Sequence, residues 1–208
     1  MTRQFMKPVR NRFGLFGVFL ALGVLAGCAS QPPVPSDKYY RMQAVFAAAP
    51  LTAVKFPGTL EIERFTADGL TAGRPIVYID SNNTNQLLEY HYHFWTQPPT
   101  IMLRDELVSY LRTAKMFSNV VIPEMRLNPD YVMTGRILKM EQVLGSPNRT
   151  RLEMEISLRR PENSKLVFLK TYVHETTQSS AAVPAAVTGL NEALNVIYSD
   201  LLADLQNL

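Results

Sequence analysis

Cysteine is almost missing from this chain: Cys28 is the only one in 208 residues. One thiol cannot close an internal disulfide, and it cannot build a cysteine metal cluster. Histidine is scarce too, at three, and no H-E-x-x-H helix pairs two of them for zinc. The chain has no G-x-S-x-G nucleophile elbow and no G-x-x-x-x-G-K-[ST] phosphate loop. His174 lies in a predicted strand, 166–176, that holds no serine or cysteine nucleophile. The expectation is therefore a protein that is not an enzyme, with no cofactor and no metal site. Beyond residue 27 no uncharged apolar run approaches membrane-spanning length.

One apolar run is present, and it lies at the start. Arg3, Lys7, Arg10 and Arg12 precede it without any acidic residue, and Phe13 to Ala26 is uncharged. That length suits a signal h-region and is short for a membrane span. It ends in Leu25-Ala26-Gly27-Cys28, which reads as a lipobox. The expected cleavage falls between Gly27 and Cys28, and Cys28 becomes the fatty-acylated N-terminus. An uncleaved helix with a chance cysteine explains the apolar run alone. It does not explain the basic start or the small residues before Cys28. One fatty chain holds a membrane marginally, whereas two signals hold it stably. A bacterial lipoprotein cysteine usually carries three chains, so attachment is expected to be permanent.

Removing the signal changes the charge argument. The whole chain is formally +3, and loss of the four basic residues leaves −1. The basic balance belongs to the targeting segment, so no nucleic-acid partner is expected. The expected division is 1–27 signal peptide, 28–37 lipidated tether and 38–208 folded domain. Pro32, Pro33 and Pro35 favour an extended tether that reaches about 25–30 Å. A domain of about 170 residues is large enough to hold itself by its core.

Along the domain, Lys38 to Met42 reads as a first strand. Thr59 to Phe65 alternates, with Glu61 and Glu63 on one face; a solvated face explains them better than an acid/base pair. Ile76–Asp80 and Leu87–Trp95 read as a hairpin across the polar turn 81–86. In its second strand Leu88, Tyr90, Tyr92 and Phe94 share a face assigned to the core. Glu89, His91 and His93 share the other. His91 and His93 are the sole histidine pair that could meet a metal, but no third ligand accompanies them, so they read as surface histidines. Trp95 falls at a strand–helix corner, where part exposure is expected. His91, His93 and Trp95 are the candidate partner surface.

Thr96 to Ser118 reads as a helix, with Leu103, Leu107, Tyr110, Leu111 and Ala114 at intervals of three and four. Val120–Ile122 is a short strand. Tyr131–Leu144, Thr150–Arg160 and Leu166–Thr176 are three long strands separated by Gly145–Asn148 and Pro161–Ser164 turns. Leu152, Met154, Ile156 and Leu158 point inward, giving a sheet with one wet face. Ala185–Leu208 is a closing helix with an apolar stripe from Val187 to Leu208. Packing on the sheet suits that stripe better than a coiled coil. The expected fold is α+β: a two-layer single domain with a mostly antiparallel sheet and its two main helices packed on one face.

These residues resemble the ABC-type transport auxiliary lipoprotein family, which includes the lipoprotein of the paraquat-inducible intermembrane transport system. The features are Leu25–Cys28, Tyr39-Tyr40, Val77-Tyr78, Tyr90, Trp95-x-x-Pro98 leading into Leu103, Leu107 and Leu111, and Ala193-Leu194. The specific matches cluster in 76–111; residues 120–180 match in pattern alone. The two-histidine aromatic strand Tyr90–Phe94 departs from the family pattern. The resemblance implies a periplasmic lipoprotein working beside an ABC transporter and an MCE-domain protein, moving phospholipid or other hydrophobic cargo. Ala29 and Ser30 lack the aspartate that usually retains a lipoprotein in the inner membrane, so the outer membrane is expected. A ring-shaped partner would suit a homo-oligomer. The rival readings are a structural adaptor for another envelope complex and an envelope hydrolase. The hydrolase needs a histidine, a nucleophile and a carboxylate in one cleft.

Overall fold

The computed structural model describes Thr2 and residues 34–208. The signal segment, Gly27, Cys28 and most of the tether lie outside the described residues. The folded unit comprises Asp37–Leu208. No helix of the described residues is long and apolar enough to cross a membrane.

Nine strands join in one sheet: β1 (Lys38–Tyr40), β2 (Phe56–Ile62), β3 (Thr66–Ala67), β4 (Pro75–Asp80), β5 (Asn83–Trp95), β6 (Phe117–Val121), β7 (Tyr131–Leu144), β8 (Asn148–Arg160) and β9 (Lys165–Gln178). Its helices are α1 (Pro99–Ala114) and α2 (Val183–Gln206). The organising strand is β7. One of its edges pairs along its length with β8, which pairs in turn with β9. Its other edge is shared by β2, β3 and β4 in succession. The sheet therefore forks, with β6 beyond β2 on one branch and β5 and β1 beyond β4 on the other.

The α+β architecture is as expected, but the pairing is mixed. The hairpins β4–β5, β7–β8 and β8–β9 are antiparallel, whereas β1–β5, β2–β6, β2–β7, β3–β7 and β4–β7 are parallel. Antiparallel neighbours need only a tight turn. Parallel neighbours need a longer connection, and the one from β2 to its parallel partner β6 runs through β3, β4, β5 and α1. No local pattern encodes which distant strand is met.

Both helices contribute to one core. Leu103, Leu107 and Leu111 of α1 are fully buried, as are Leu190, Leu194, Leu201 and Leu205 of α2. Each such leucine adds about 1.5–3 kcal/mol relative to an exposed one. Pro99 and Pro184 stand in the first turns, where a proline lacks no needed donor. Tyr198 of α2 donates from its hydroxyl to the Leu103 carbonyl at 2.7 Å, which fixes one helix against the other. The α2 stripe packs on β8 and β9, and Leu152, Met154, Ile156 and Leu158 meet it from the sheet. Leu208 lies past the helix end and is exposed, so the stripe stops at Leu205.

A segment without regular structure follows β1 and crosses both helices. The amides of Gln43 and Val45 donate to the side chains of Asn191 and Asn195, and that of Ala44 donates to Glu106, each at 2.7 Å. Side chains thus do here what a ladder does elsewhere, and Met42 is buried.

Candidate functional site

The residues singled out from sequence meet at the β1–β5 corner. β1 lies parallel to the end of β5, with Lys38 beside His93, Tyr39 beside Phe94 and Tyr40 beside Trp95. On its other side β5 pairs with β4, and here the register breaks. Val77 faces Glu89, but Pro75 faces Phe94. Two residues of β4 thus span five of β5. The extra length is a bulge, which turns side chains off the alternating pattern.

That bulge overturns the assignment of faces. Trp95, expected to be partly exposed, is 2 % exposed and joins the core. Its amide donates to the Arg74 carbonyl at 2.7 Å, and its own carbonyl accepts from Arg74 Nε at 3.1 Å. A residue so held cannot belong to a contact surface. Conversely, Tyr92, assigned to the core, is 38 % exposed, and Leu88, Tyr90 and Phe94 are half-buried. His91 is exposed. His93 is half-buried: its ring stacks on Tyr40 at 5.7 Å and its Nδ1 lies 2.9 Å from the Tyr40 hydroxyl. Tyr90 meets the same imidazole edge-on at 5.6 Å. Burial, with the neighbouring Lys38 ammonium, lowers the His93 pKa, so the ring favours its neutral form.

Behind this layer lies a buried polar tie that sequence reasoning missed. The Tyr90 hydroxyl donates to Gln142 Oε1 at 2.8 Å, and Gln142 Nε2 donates to the Ala181 carbonyl at 3.1 Å. Gln142 is fully buried on β7, so one side chain joins β5, β7 and the approach to α2. Tyr78 packs on Tyr90 at 4.4 Å, and burial, helped by Tyr78, raises the Tyr90 pKa. The signal available was one glutamine in a strand that also carries Arg136, Lys139 and Glu141, too weak to read without its partners.

In front, Tyr39 is 55 % exposed, rests against Phe94 at 5.8 Å and carries the Arg74 guanidinium over its ring at 5.4 Å. Lys38 and Arg41 are also exposed here. The corner is thus a rigid aromatic platform with a basic rim. Among the described residues no group of three or more His, Cys, Asp or Glu could hold a metal ion.

Of the clefts among the described residues, two lie beside strands away from this corner. One, of about 460 Å3, borders β6 and includes Arg112, Lys115, Phe117 and Met125. The other, of about 360 Å3, lies on the sheet face away from the helices and includes Lys139, Glu141, Arg151 and Glu175. Neither is lined by a histidine. In the second, Arg151 pairs with Glu153 at 2.8 Å and Glu175 at 3.4 Å.

The sequence model of the ABC-type transport auxiliary lipoprotein component matches residues 40–201. No curated protein matches the chain. Among solved structures, a protein from Xanthomonas campestris is similar over 79 % of this chain and 92 % of its own, at 19 % identity and a TM-score of 0.68. A second, uncharacterized protein is similar over 82 % of this chain and 99 % of its own, at 16 % identity and a TM-score of 0.65. At these identities the likeness speaks for the fold.

Proposed function

From the premise that this chain belongs to the ABC-type transport auxiliary lipoprotein family, we propose that it is the lipid-anchored, non-enzymatic component that docks an MCE-type conduit at the outer membrane. Acylated Cys28 fixes it to the inner leaflet, facing the periplasm. The domain then receives the conduit through which phospholipid or another hydrophobic cargo passes. The observation that carries this reading is an order along the chain. A basic start, an apolar run and L-A-G-C at Leu25–Cys28 stand immediately before a family match that begins at residue 40.

The surface assigned to the conduit is the outer side of β9. This strand pairs only with β8 among the described strands, so its other edge is open along 14 residues. Leu166, Leu169 and Val173 are each more than half exposed there. An open edge with exposed apolar side chains is a contact waiting for a partner. It replaces Trp95 as the candidate docking residue, because Trp95 is buried.

The test is affinity capture of the acylated chain from its own membranes. An MCE-domain protein in the eluate is the expected result, and Leu169→Asp with Val173→Asp should reduce its recovery. Capture that brings down no MCE-domain protein would remove the reading and leave a structural adaptor of another envelope complex in its place.

A further inference from the structure

We propose that the β1 edge, with the bulged end of β5 beside it, is a bilayer-contact surface on which Tyr39, Tyr92 and Phe94 sit at the lipid headgroup level. The proposal rests on the anchoring of Cys28 stated above and adds to it an orientation of the domain.

The first argument is chain length. Nine residues lie between Cys28 and Lys38, where β1 begins. Whatever its conformation, that stretch spans no more than about 35 Å. β1 is therefore the part of the sheet held closest to the anchor along the chain. It is also an outer strand, with β5 as its only partner among the described strands.

The second argument is the chemistry of the edge. Tyrosine combines an apolar ring with a polar tip and collects where one end of a side chain meets hydrocarbon and the other meets water. Tyr39 and Tyr92 are exposed, and Phe94 supports Tyr39 from β5. Arg74 lies over the Tyr39 ring, and Lys38 and Arg41 flank Tyr39 and Tyr40 along the chain, all exposed; the nearby acids are Asp37, which accepts from the Tyr39 hydroxyl at 3.3 Å, and Glu89 on β5. Such a rim favours anionic headgroups, although the chain after Gly27 is formally −1. The third argument is rigidity. His93 locks Tyr40 from behind, and Gln142 locks Tyr90, so the platform needs little ordering on contact.

The fork of the sheet places β9 and β1 at its opposite margins on the β4 branch. One margin then meets the membrane and the other remains free for the conduit.

The experiment uses the full chain, processed and acylated, in vesicles of phosphatidylethanolamine and phosphatidylglycerol. Because acylation occupies Cys28, a cysteine introduced by Tyr39→Cys, Tyr92→Cys, Asn83→Cys or Glu162→Cys takes a fluorescent label alone. Lipids with a nitroxide on the headgroup then report contact. Labels at 39 and 92 should lose most of their emission, while those at the β4–β5 turn (83) and the β8–β9 turn (162) keep theirs. Quenching at 83 without 39 and 92 would mean that the domain stands on its hairpin, and the proposal would fail. Quenching nowhere, with three acyl chains seen in the intact mass, would mean that the edge meets a protein or solvent, and would also refute it. A chain that starts at Met1 without fatty acid, labelled at Cys28 itself, would sink the anchoring reading and this proposal together. A label placed by Arg74→Cys substitutes for either tyrosine variant whose thermal midpoint shows misfolding.

Discussion

Glu141 stands on β7 at the wall of the back-face cleft and is 7 % exposed. Burial raises its pKa, and Lys139 and Arg151 only partly offset this. A carboxyl that holds its proton more tightly when folded stabilises fully below the unfolded pKa of about 4.3. That contribution is lost as pH rises through the raised value. Glu141→Gln should therefore raise the urea midpoint at pH 7 and leave it unchanged near pH 4. No gain at pH 7 would show that the carboxylate is solvated in place. Asp204 has the opposite sign. Lys170 Nζ at 2.6 Å and the Tyr172 hydroxyl at 2.7 Å donate to it and lower its pKa. Its contribution is present above the unfolded pKa of about 3.9 and disappears as pH falls through the lowered value. Asp204→Asn should cost on the order of 1 kcal/mol at pH 7, a modest figure because the pair is partly solvated. The difference from the natural chain should close in strong acid, as read by denaturant titration at several pH values.

At the scale of elements, α2 lies so close to the sheet that one position tolerates no side chain. A Cβ on Gly189 would run into the Gln178 amide and come within 2.6 Å of Thr150 Oγ1. Glycine in a helix interior normally costs about 1 kcal/mol relative to alanine. Here the contact outweighs propensity, because Thr150 is fully buried on β8 and cannot move away. Gly189→Ala should destabilise by about 1–3 kcal/mol, and adding Gln178→Ala should recover only part of it. Equal stability of Gly189→Ala and the natural chain in a urea melt would mean that the helix can lift. Leu194, buried between α2 and the sheet, gives the reference: Leu194→Ala should cost about 2–5 kcal/mol.

The element pattern itself was legible where burial is one-sided and the register unbroken. Residues 131–144 form a strand with the expected bounds, and β8 turns Leu152, Met154, Ile156 and Leu158 inward as its alternation predicts. The first helix is shorter than its periodicity suggests, because Pro99 starts it and Lys115 ends it in a left-handed conformation. β5 was misread because its three extra residues reverse the faces partway along. The segment after β1 was invisible for another reason: its partners, Asn191 and Asn195, lie about 150 residues away.

On the scale of the whole molecule, membrane attachment and folding should be separable. Among the described residues the core runs from Met42 to Leu205. With residues 1–27 replaced by a signal cleaved independently of the cysteine, Cys28→Ser should move the protein from the membrane to the soluble periplasmic fraction, by immunoblot. Its thermal midpoint should match that of the natural chain. A Cys28→Ser protein that still sediments with membranes would place the anchor elsewhere.

The sequence by itself determined the α+β class, the two amphipathic helices, the inward face of β8, the family and the reasons to look to Cys28 for an anchor. Each of these is written locally, as a period, a motif or a composition. Only the tertiary structure decided that Trp95 is core, that His93 serves Tyr40, that the sheet is mixed and forked, and that Gln142 ties its layers. Those outcomes depend on which distant strand is met and in which register. Periodicity shows that a side is buried, not what buries it.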